Sequence, residues 1–208
     1  MGGRFITFEG IDGAGKSTCL EVVRGILEGA GIDVLTTREP GGTVVGEGIR
    51  QLLLSRSTRA TAETESLLVF AARQEHLATV VYPALEQERW VLCDRFTDAT
   101  YAYQGGGRGL SLERLDVLRR WVHGGFEPDL TILVDADPDT AGDRLRSRGN
   151  ELDRFEIEAR AFHERVRQTY LDLARQYPER IRLIGAHLPV DERDATLSAL
   201  VKGLGASS

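Results

Sequence analysis

Short apolar runs recur along the chain, each followed by a longer stretch whose apolar residues keep helical spacing. Phe5-Ile6-Thr7-Phe8, Asp33-Val34-Leu35-Thr36-Thr37, Trp90-Val91-Leu92-Cys93, Leu130-Thr131-Ile132-Leu133-Val134 and Ile181-Arg182-Leu183-Ile184 read as five strands. They are short and mostly apolar, as strands covered on both faces are. Helical segments fall at about 19–27, 45–54, 63–88, 111–123, 140–148, 157–176 and 192–202. Strand–helix alternation predicts a three-layer α/β/α fold around a parallel sheet of about five strands.

No internal repeat or linker divides the 208 residues, so one domain over 1–208 is expected, with a lid at about 145–156. Gly105-Gly106-Gly107 reads as a local loop. In the 63–88 helix, Leu67, Leu68, Phe70, Ala71 and Leu77 exceed one narrow stripe. Such a face is either buried within the subunit or half of a two-fold interface, and a homodimer through this helix is expected.

Apolar residues make up 41% and charged residues 28%, as in soluble globular proteins. A net charge of −6 without a basic stripe argues against nucleic acid as a partner. Cys19 and Cys93 lie far apart, outside any metal-ligand spacing, and suit buried thiols in a reducing compartment. The chain has no apolar run of 18 residues and no long apolar region ahead of the first strand. It is expected to be cytoplasmic, with no membrane partner.

The most specific chemistry lies between the first strand and the first helix. Gly10-Ile11-Asp12-Gly13-Ala14-Gly15-Lys16-Ser17, followed by Thr18, fits the phosphate-loop pattern in the context that supports it. Glycines let the backbone curl so that N–H groups point at phosphate oxygens, and the helix N-terminus adds its dipole. Lys16 can reach the β- and γ-phosphates, and the Ser17 hydroxyl can ligate Mg²⁺. The alternative, an ordinary glycine-rich turn between strand and helix, is disfavoured because position and flanks both match the phosphate-loop pattern.

Four further clusters stand near strand ends, where open α/β sheets bind ligands. Thr37-Arg38-Glu39-Pro40-Gly41-Gly42-Thr43 follows the second strand, and Asp94-Arg95-Phe96 the third. Asp94 is either the Mg²⁺-associated acid of a phosphate-loop enzyme or a helix cap. Arg95 suits bidentate phosphate binding or a surface ion pair. The third cluster, Thr100 to Arg108, offers tyrosines and the Gln104 amide to a neutral base, or simply core aromatics. The fourth is Arg144, Arg146, Arg148 and Arg154.

Taken in order, the phosphate loop, Thr-Arg-Glu-Pro-Gly-Gly-Thr, Phe-Ala-Ala-Arg at 70–73, Asp-Arg-Phe at 94–96, Tyr-Gln-Gly-Gly-Gly-Arg-Gly at 103–109 and Leu-Asp-Arg-Phe-Glu at 152–156 resemble the bacterial thymidylate kinases. The resemblance spans about residues 4–190. It implies transfer of the ATP γ-phosphoryl group to dTMP with Mg²⁺, giving dTDP and ADP on the way to dTTP. Gly10, Ile11, Asp12, Gly13, Ala14, Gly15, Lys16, Ser17 and Thr18 would hold ATP, and Ser17 and Asp94 the metal. Asp12 would lie between the two nucleotides, near the acceptor sugar. Arg95 would hold the acceptor phosphate, and Arg73 would hydrogen-bond the thymine. Thr100, Tyr103, Gln104, Glu39 and Pro40 would complete the dTMP site, with Tyr103 disfavouring a ribose 2′-OH.

Two positions depart from the family pattern. The stacking phenylalanine usually lies four residues before the helix arginine, where this chain has Val69; Phe70 lies three before and is the expected ring, since both spacings share a helix face. Asn150 lengthens the lid by one residue. Gly13 and Ala14 leave the loop without positive charge ahead of Lys16, so Arg148 and Arg154 of the lid are the expected catalytic arginines. Arg154 is favoured, recruited on closure; Arg144 and Arg146 are expected on the helix surface. The alternatives are another nucleotide or deoxynucleoside kinase, or a phosphate-loop switch protein. The guanine motif Asn-Lys-x-Asp of a GTPase is missing from the sequence.

Overall fold

The computed structural model describes residues 2–147, 149 and 151–205. Five parallel strands, β1 (Phe5–Glu9), β2 (Val34–Arg38), β3 (Trp90–Asp94), β4 (Leu130–Asp135) and β5 (Ile181–Gly185), form one sheet in the order β2-β3-β1-β4-β5. Phe5 pairs with Val91 and Ile6 with Leu130, so β1 is central, and its five residues are all buried. Successive side chains point to opposite faces. Accordingly Ile6, Phe8, Trp90 and Leu92 join one apolar cluster, while Phe5, Val91 and Cys93 join a second. The expected α/β fold is borne out, and both cysteines are buried and free.

The helices are α1 (Lys16–Gly29), α2 (Val44–Leu54), α3 (Ala62–His76), α4 (Tyr82–Glu86), α5 (Thr97–Thr100), α6 (Leu112–Val122), α7 (Pro138–Ser147), α8 (Arg160–Gln176) and α9 (Val190–Gly205). Thr43 starts α2 by accepting a hydrogen bond from the Gly46 N–H at 2.9 Å.

Two segments differ from the sequence-based expectation. The 63–88 helix contains a π-helical segment, Leu77–Val81, ahead of Pro83. Proline has no N–H for the helical ladder, and a widened turn accommodates that loss. The glycine run is helical rather than a loop: α5 continues into a π-helical segment, Tyr101–Gly107. It packs hard on α8, since a Cβ on Gly106 would lie 2.0 Å from Thr169 Oγ1. The glycines there are small surfaces for close packing, a tertiary reason that local sequence does not reveal.

The C-terminal ends of the central strands meet in one place. The Arg95 N–H donates to Phe8 O (3.0 Å) and the Glu39 N–H to Asp94 O (2.9 Å). The phosphate loop, the Glu39 turn and the Arg95 turn therefore share the crevice where strand order reverses.

Candidate active site

Gly10, Gly13 and Gly15 all have positive φ, and Gly15 (φ 108°) is the N-cap of α1. A side chain at such positions is strained, so the curl of the loop depends on them. Lys16 is buried, with Nζ 3.2 Å from both Gly10 O and Ile11 O and 3.8 Å from Asp12 Oδ1. Burial, then the Arg95 charge, pull its ammonium below the ordinary range against the pull of Asp94, Asp12 and Glu9.

Arg95 reaches the same loop from the other side. Its backbone is left-handed (φ 74°), an uncommon state for a residue with a side chain. The guanidinium donates to Asp12 Oδ1 (2.5 Å), Tyr103 Oη (3.0 Å), Gly10 O (3.0 Å) and Tyr170 Oη (3.2 Å). The Tyr103 hydroxyl donates to Asp12 Oδ2 at 2.7 Å. Burial raises the Asp12 carboxyl, but Arg95, Lys16 and the Tyr103 bond outweigh it and hold Asp12 well below the usual carboxylate range. Burial pushes the Tyr103 and Tyr170 hydroxyls well up, so both remain donors.

Behind Arg95 sits Glu9, fully buried, accepting from the Phe96 N–H (2.6 Å) and the Tyr170 hydroxyl (2.7 Å). Burial, with the neighbouring Asp98 charge, raises it to about 8, against Arg95 and the two hydrogen bonds. Between the ordinary value of 4.5 and 8 the folded state keeps a proton that the unfolded chain has lost. Stability from this group is therefore greatest below 4.5 and falls as pH rises through the window. Glu9→Gln removes the titration. The melting-temperature advantage of wild type over the variant is expected to shrink between about pH 5 and about pH 8; a constant difference would contradict the assignment.

A cleft opens beside the loop, at the strand ends where open α/β sheets bind ligands. Its walls include Asp12, Glu39, Pro40, Val69, Arg73, Arg95, Thr100, Tyr103 and Gln104. Arg73 is 1% exposed. Its Nε donates to Glu39 Oε2 (2.7 Å) and its Nη2 to Thr100 Oγ1 (3.0 Å), while Nη1 is buried with no partner. Burial acts upward on Glu39, but Arg73 and His76 bring its carboxyl below the ordinary value. Gln104 Nε2 donates to Glu65 Oε2 at 3.3 Å.

Phe70, expected as the stacking ring, does not line this cleft; Val69, Phe96 and Phe155 do. Phe70 is buried with the Arg73 guanidinium 4.8 Å from its ring centroid, and Phe96 flanks the same guanidinium at 4.9 Å. One residue's rotation about α3 turns the ring from the cleft onto the arginine. Arg154 differs from expectation as well. It is already docked: Nε donates to Leu53 O (2.9 Å) and Nη1 to the buried Glu65 (2.7 Å), and Nη2 is buried without a partner. Arg148 and Asn150 lie outside the described residues.

Ser17 and Asp94 line a second, open cavity on the α1 side, and Asp94 Oδ1 is buried without a partner. A hydroxyl and a carboxylate with a spare oxygen fit a Mg²⁺ ion that takes its other ligands from nucleotide and water. Among the described residues no group of three His, Cys, Asp or Glu side chains could hold a metal.

Sequence reasoning missed several residues here. Arg50 lines the cleft and donates to Pro40 O (3.0 Å); its spacing from the buried Gly46 and Leu53 on α2 was the available signal. Arg144 lies on the surface as expected, yet from there it donates to Ala14 O (3.2 Å) and Ala186 O (3.3 Å), bracing the phosphate loop. Arg146 lies on the surface too, paired with Asp143 at 2.6 Å. His76 and Glu65 carried no local signal.

Sheet order, loop and cleft define a phosphate-loop α/β nucleotide-binding protein. The family model for thymidylate kinase matches residues 8–196. The chain is 54% identical over 204 residues to the thymidylate kinase of Cupriavidus metallidurans, covering 98% of this chain and 100% of that one. It is 57% identical over 188 residues to that of Cupriavidus necator, covering 89% and 91%. It superposes on the crystal structure of thymidylate kinase from Ehrlichia chaffeensis with a TM-score of 0.76 at 32% identity, covering 98% and 99%. The chain belongs to the thymidylate kinase family.

Proposed function

We propose that the protein transfers the γ-phosphoryl group of ATP to dTMP, giving dTDP and ADP for dTTP synthesis. One observation carries the acceptor assignment: the partnerless, buried Nη1 of Arg73, on a wall of the cleft that Arg95 and Asp12 also line. A buried donor without a partner is costly, and a ligand carbonyl would satisfy it. Thymine supplies such an oxygen, and Thr100 and Gln104 supply further polar atoms on the same walls.

In this reading the phosphate loop, Gly10 to Thr18, cradles ATP, and Lys16 exchanges its two loop carbonyls for phosphate oxygens. Arg95 exchanges Asp12 for the acceptor phosphate, leaving Asp12 to face the acceptor sugar. Tyr103 keeps its ring under the Arg95 guanidinium, 4.8 Å away, and closes the space beside the sugar. Ser17 and Asp94 would hold Mg²⁺, which neutralises phosphate charge when bound. The acceptor is itself a phosphate anion, so alignment and charge neutralisation carry the reaction and no strong base is needed.

The 145–156 segment serves as the lid within a single 1–208 domain. Arg148 and Arg154 remain its candidate catalytic cations, Arg154 through Nη2, while its other nitrogens anchor the segment to α2 and α3. Removing that anchor strands part of the Glu65 carboxylate. Arg154→Ala is expected to cost about 1–3 kcal/mol of stability as well as turnover, read by urea denaturation; unchanged stability would contradict the anchor.

A cytoplasmic homodimer completes the reading. No described helix is long and apolar enough to cross a membrane. Leu67 on α3 is 55% exposed, and Val117 and Trp121 on α6, which contacts α3, are 57% and 82% exposed. The functional test is a phosphorylation assay with ATP and Mg²⁺ across dTMP, dCMP, dGMP and AMP. Strong preference for dTMP is expected, because a site built to hydrogen-bond one base leaves polar groups unpaired with another. Equal turnover of dCMP or AMP would overturn it.

A further inference from the structure

The residue that holds Arg73 in place is itself held, by a histidine to which neither the motifs nor the proposed reaction gives a part. Glu39 is 3% exposed and divides its two oxygens: Oε2 accepts from Arg73 Nε at 2.7 Å, and Oε1 lies 2.9 Å from Nδ1 of His76. His76 is 0% exposed and sits one helical turn beyond Arg73 on α3. Its Nε2 lies 2.7 Å from Thr37 Oγ1 at the end of β2. A single chain of hydrogen bonds thus runs Thr37–His76–Glu39–Arg73–Thr100, from β2 across α3 to α5.

The backbone is shaped around this chain. A Cβ on Gly42 would lie 2.7 Å from Thr37 Oγ1 and 2.8 Å from His76 Cδ2, so this glycine leaves room for the imidazole. Glu39 follows β2 directly, on a turn whose carboxylate could rotate toward either Arg73 or His76. Arg73 alone would let it swing. With both oxygens engaged, the carboxylate plane is fixed, and the fork of Arg73 is fixed with it.

We propose that His76 is a positioning residue for acceptor-base specificity: through Glu39 it sets the guanidinium of Arg73 at the angle that reads the acceptor base. The proposal rests on Arg73 being the base contact. His76 touches no substrate. Its effect is to hold the arginine rigid, so that a mismatched base cannot be accommodated by a shift of the guanidinium. A base that offers an amino group where thymine offers a carbonyl then meets a donor that cannot move away.

The test is steady-state kinetics of the full chain with dTMP and dCMP, comparing His76→Leu, His76→Asn and Arg73→Lys. His76→Leu removes both hydrogen bonds. Asparagine can still place an amide N–H near the position of Nδ1 and donate to Glu39. Loss of a hydrogen bond to a charged group corresponds to about a tenfold change. His76→Leu is expected to raise the KM for dTMP about tenfold, with kcat and the KM for ATP little changed. The dTMP-to-dCMP ratio of kcat/KM should fall by a similar factor, and His76→Asn should restore it. A purely structural histidine would lower the active fraction and reduce both acceptors equally. Equal losses, or an unchanged ratio in His76→Leu, would overturn the proposal. Arg73→Lys separates the two layers: if it keeps the ratio, the base-contact reading fails and the relay with it. If it loses the ratio while His76→Leu keeps it, only the relay fails. Should His76→Leu not fold, His76→Gln, which keeps a polar side chain of similar reach but cannot mimic Nδ1, carries the same comparison.

Discussion

Lys16→Ala is expected to lower turnover by on the order of 100-fold or more, with the fold intact. In the structure Nζ spends its bonds on Gly10 O and Ile11 O, two carbonyls at 3.2 Å. These weak contacts are readily exchanged for phosphate oxygens, which carry the charge that grows during transfer. An ammonium already sitting in the loop needs no reorganisation when that charge appears. Because the loop offers no other cation before Lys16, no other loop residue takes over its position on the donor phosphates. The check is kcat at saturating ATP and dTMP, alongside the melting temperature. Near-normal turnover in a folded variant would mean that the loop does not act in catalysis.

Arg95→Ala is the second large effect, and it should fall on the acceptor. The guanidinium makes four contacts around Asp12, Tyr103, Gly10 and Tyr170. Each charge-assisted bond to an acceptor phosphate contributes about 1.5–3 kcal/mol, so two correspond to roughly 100-fold or more in kcat/KM for dTMP. The KM for ATP should change far less. Arg95→Gly gives an internal control, since glycine accepts the left-handed backbone at φ 74° without strain. It should match the alanine variant in kinetics and equal or exceed it in stability. Equal defects for ATP and dTMP would place Arg95 on the donor instead.

The sheet was legible because its inner strands, β1, β3 and β4, are buried on both faces and so read as mostly apolar runs, while the edge strands β2 and β5 are only partly buried. Its phosphate loop was legible because the chemistry requires particular residues at fixed spacing. The helix over Tyr101–Gly107 was not, because Gly106 and Gly107 answer to α8, far along the sequence. Phe70 shows a finer limit. Positions three and four before Arg73 share a helix face, yet only Val69 reaches the cleft, while Phe70 packs on the guanidinium. Arg154 shows another: a basic residue beside a lid looks mobile in sequence, but Glu65, far upstream on α3, holds it. Glu65, His76 and Arg50 acquire their roles only when α2, α3 and the strand ends are brought together.

The most direct measurement is a crystal structure of the protein with dTMP bound. The expected result has the thymine against Nη1 of Arg73, with Glu39 and His76 unmoved, and the 5′-phosphate on Arg95, which has released Asp12. A base lying away from Arg73, or a phosphate bound with the Arg95–Asp12 pair intact, would contradict the assignment of this cleft as the acceptor site.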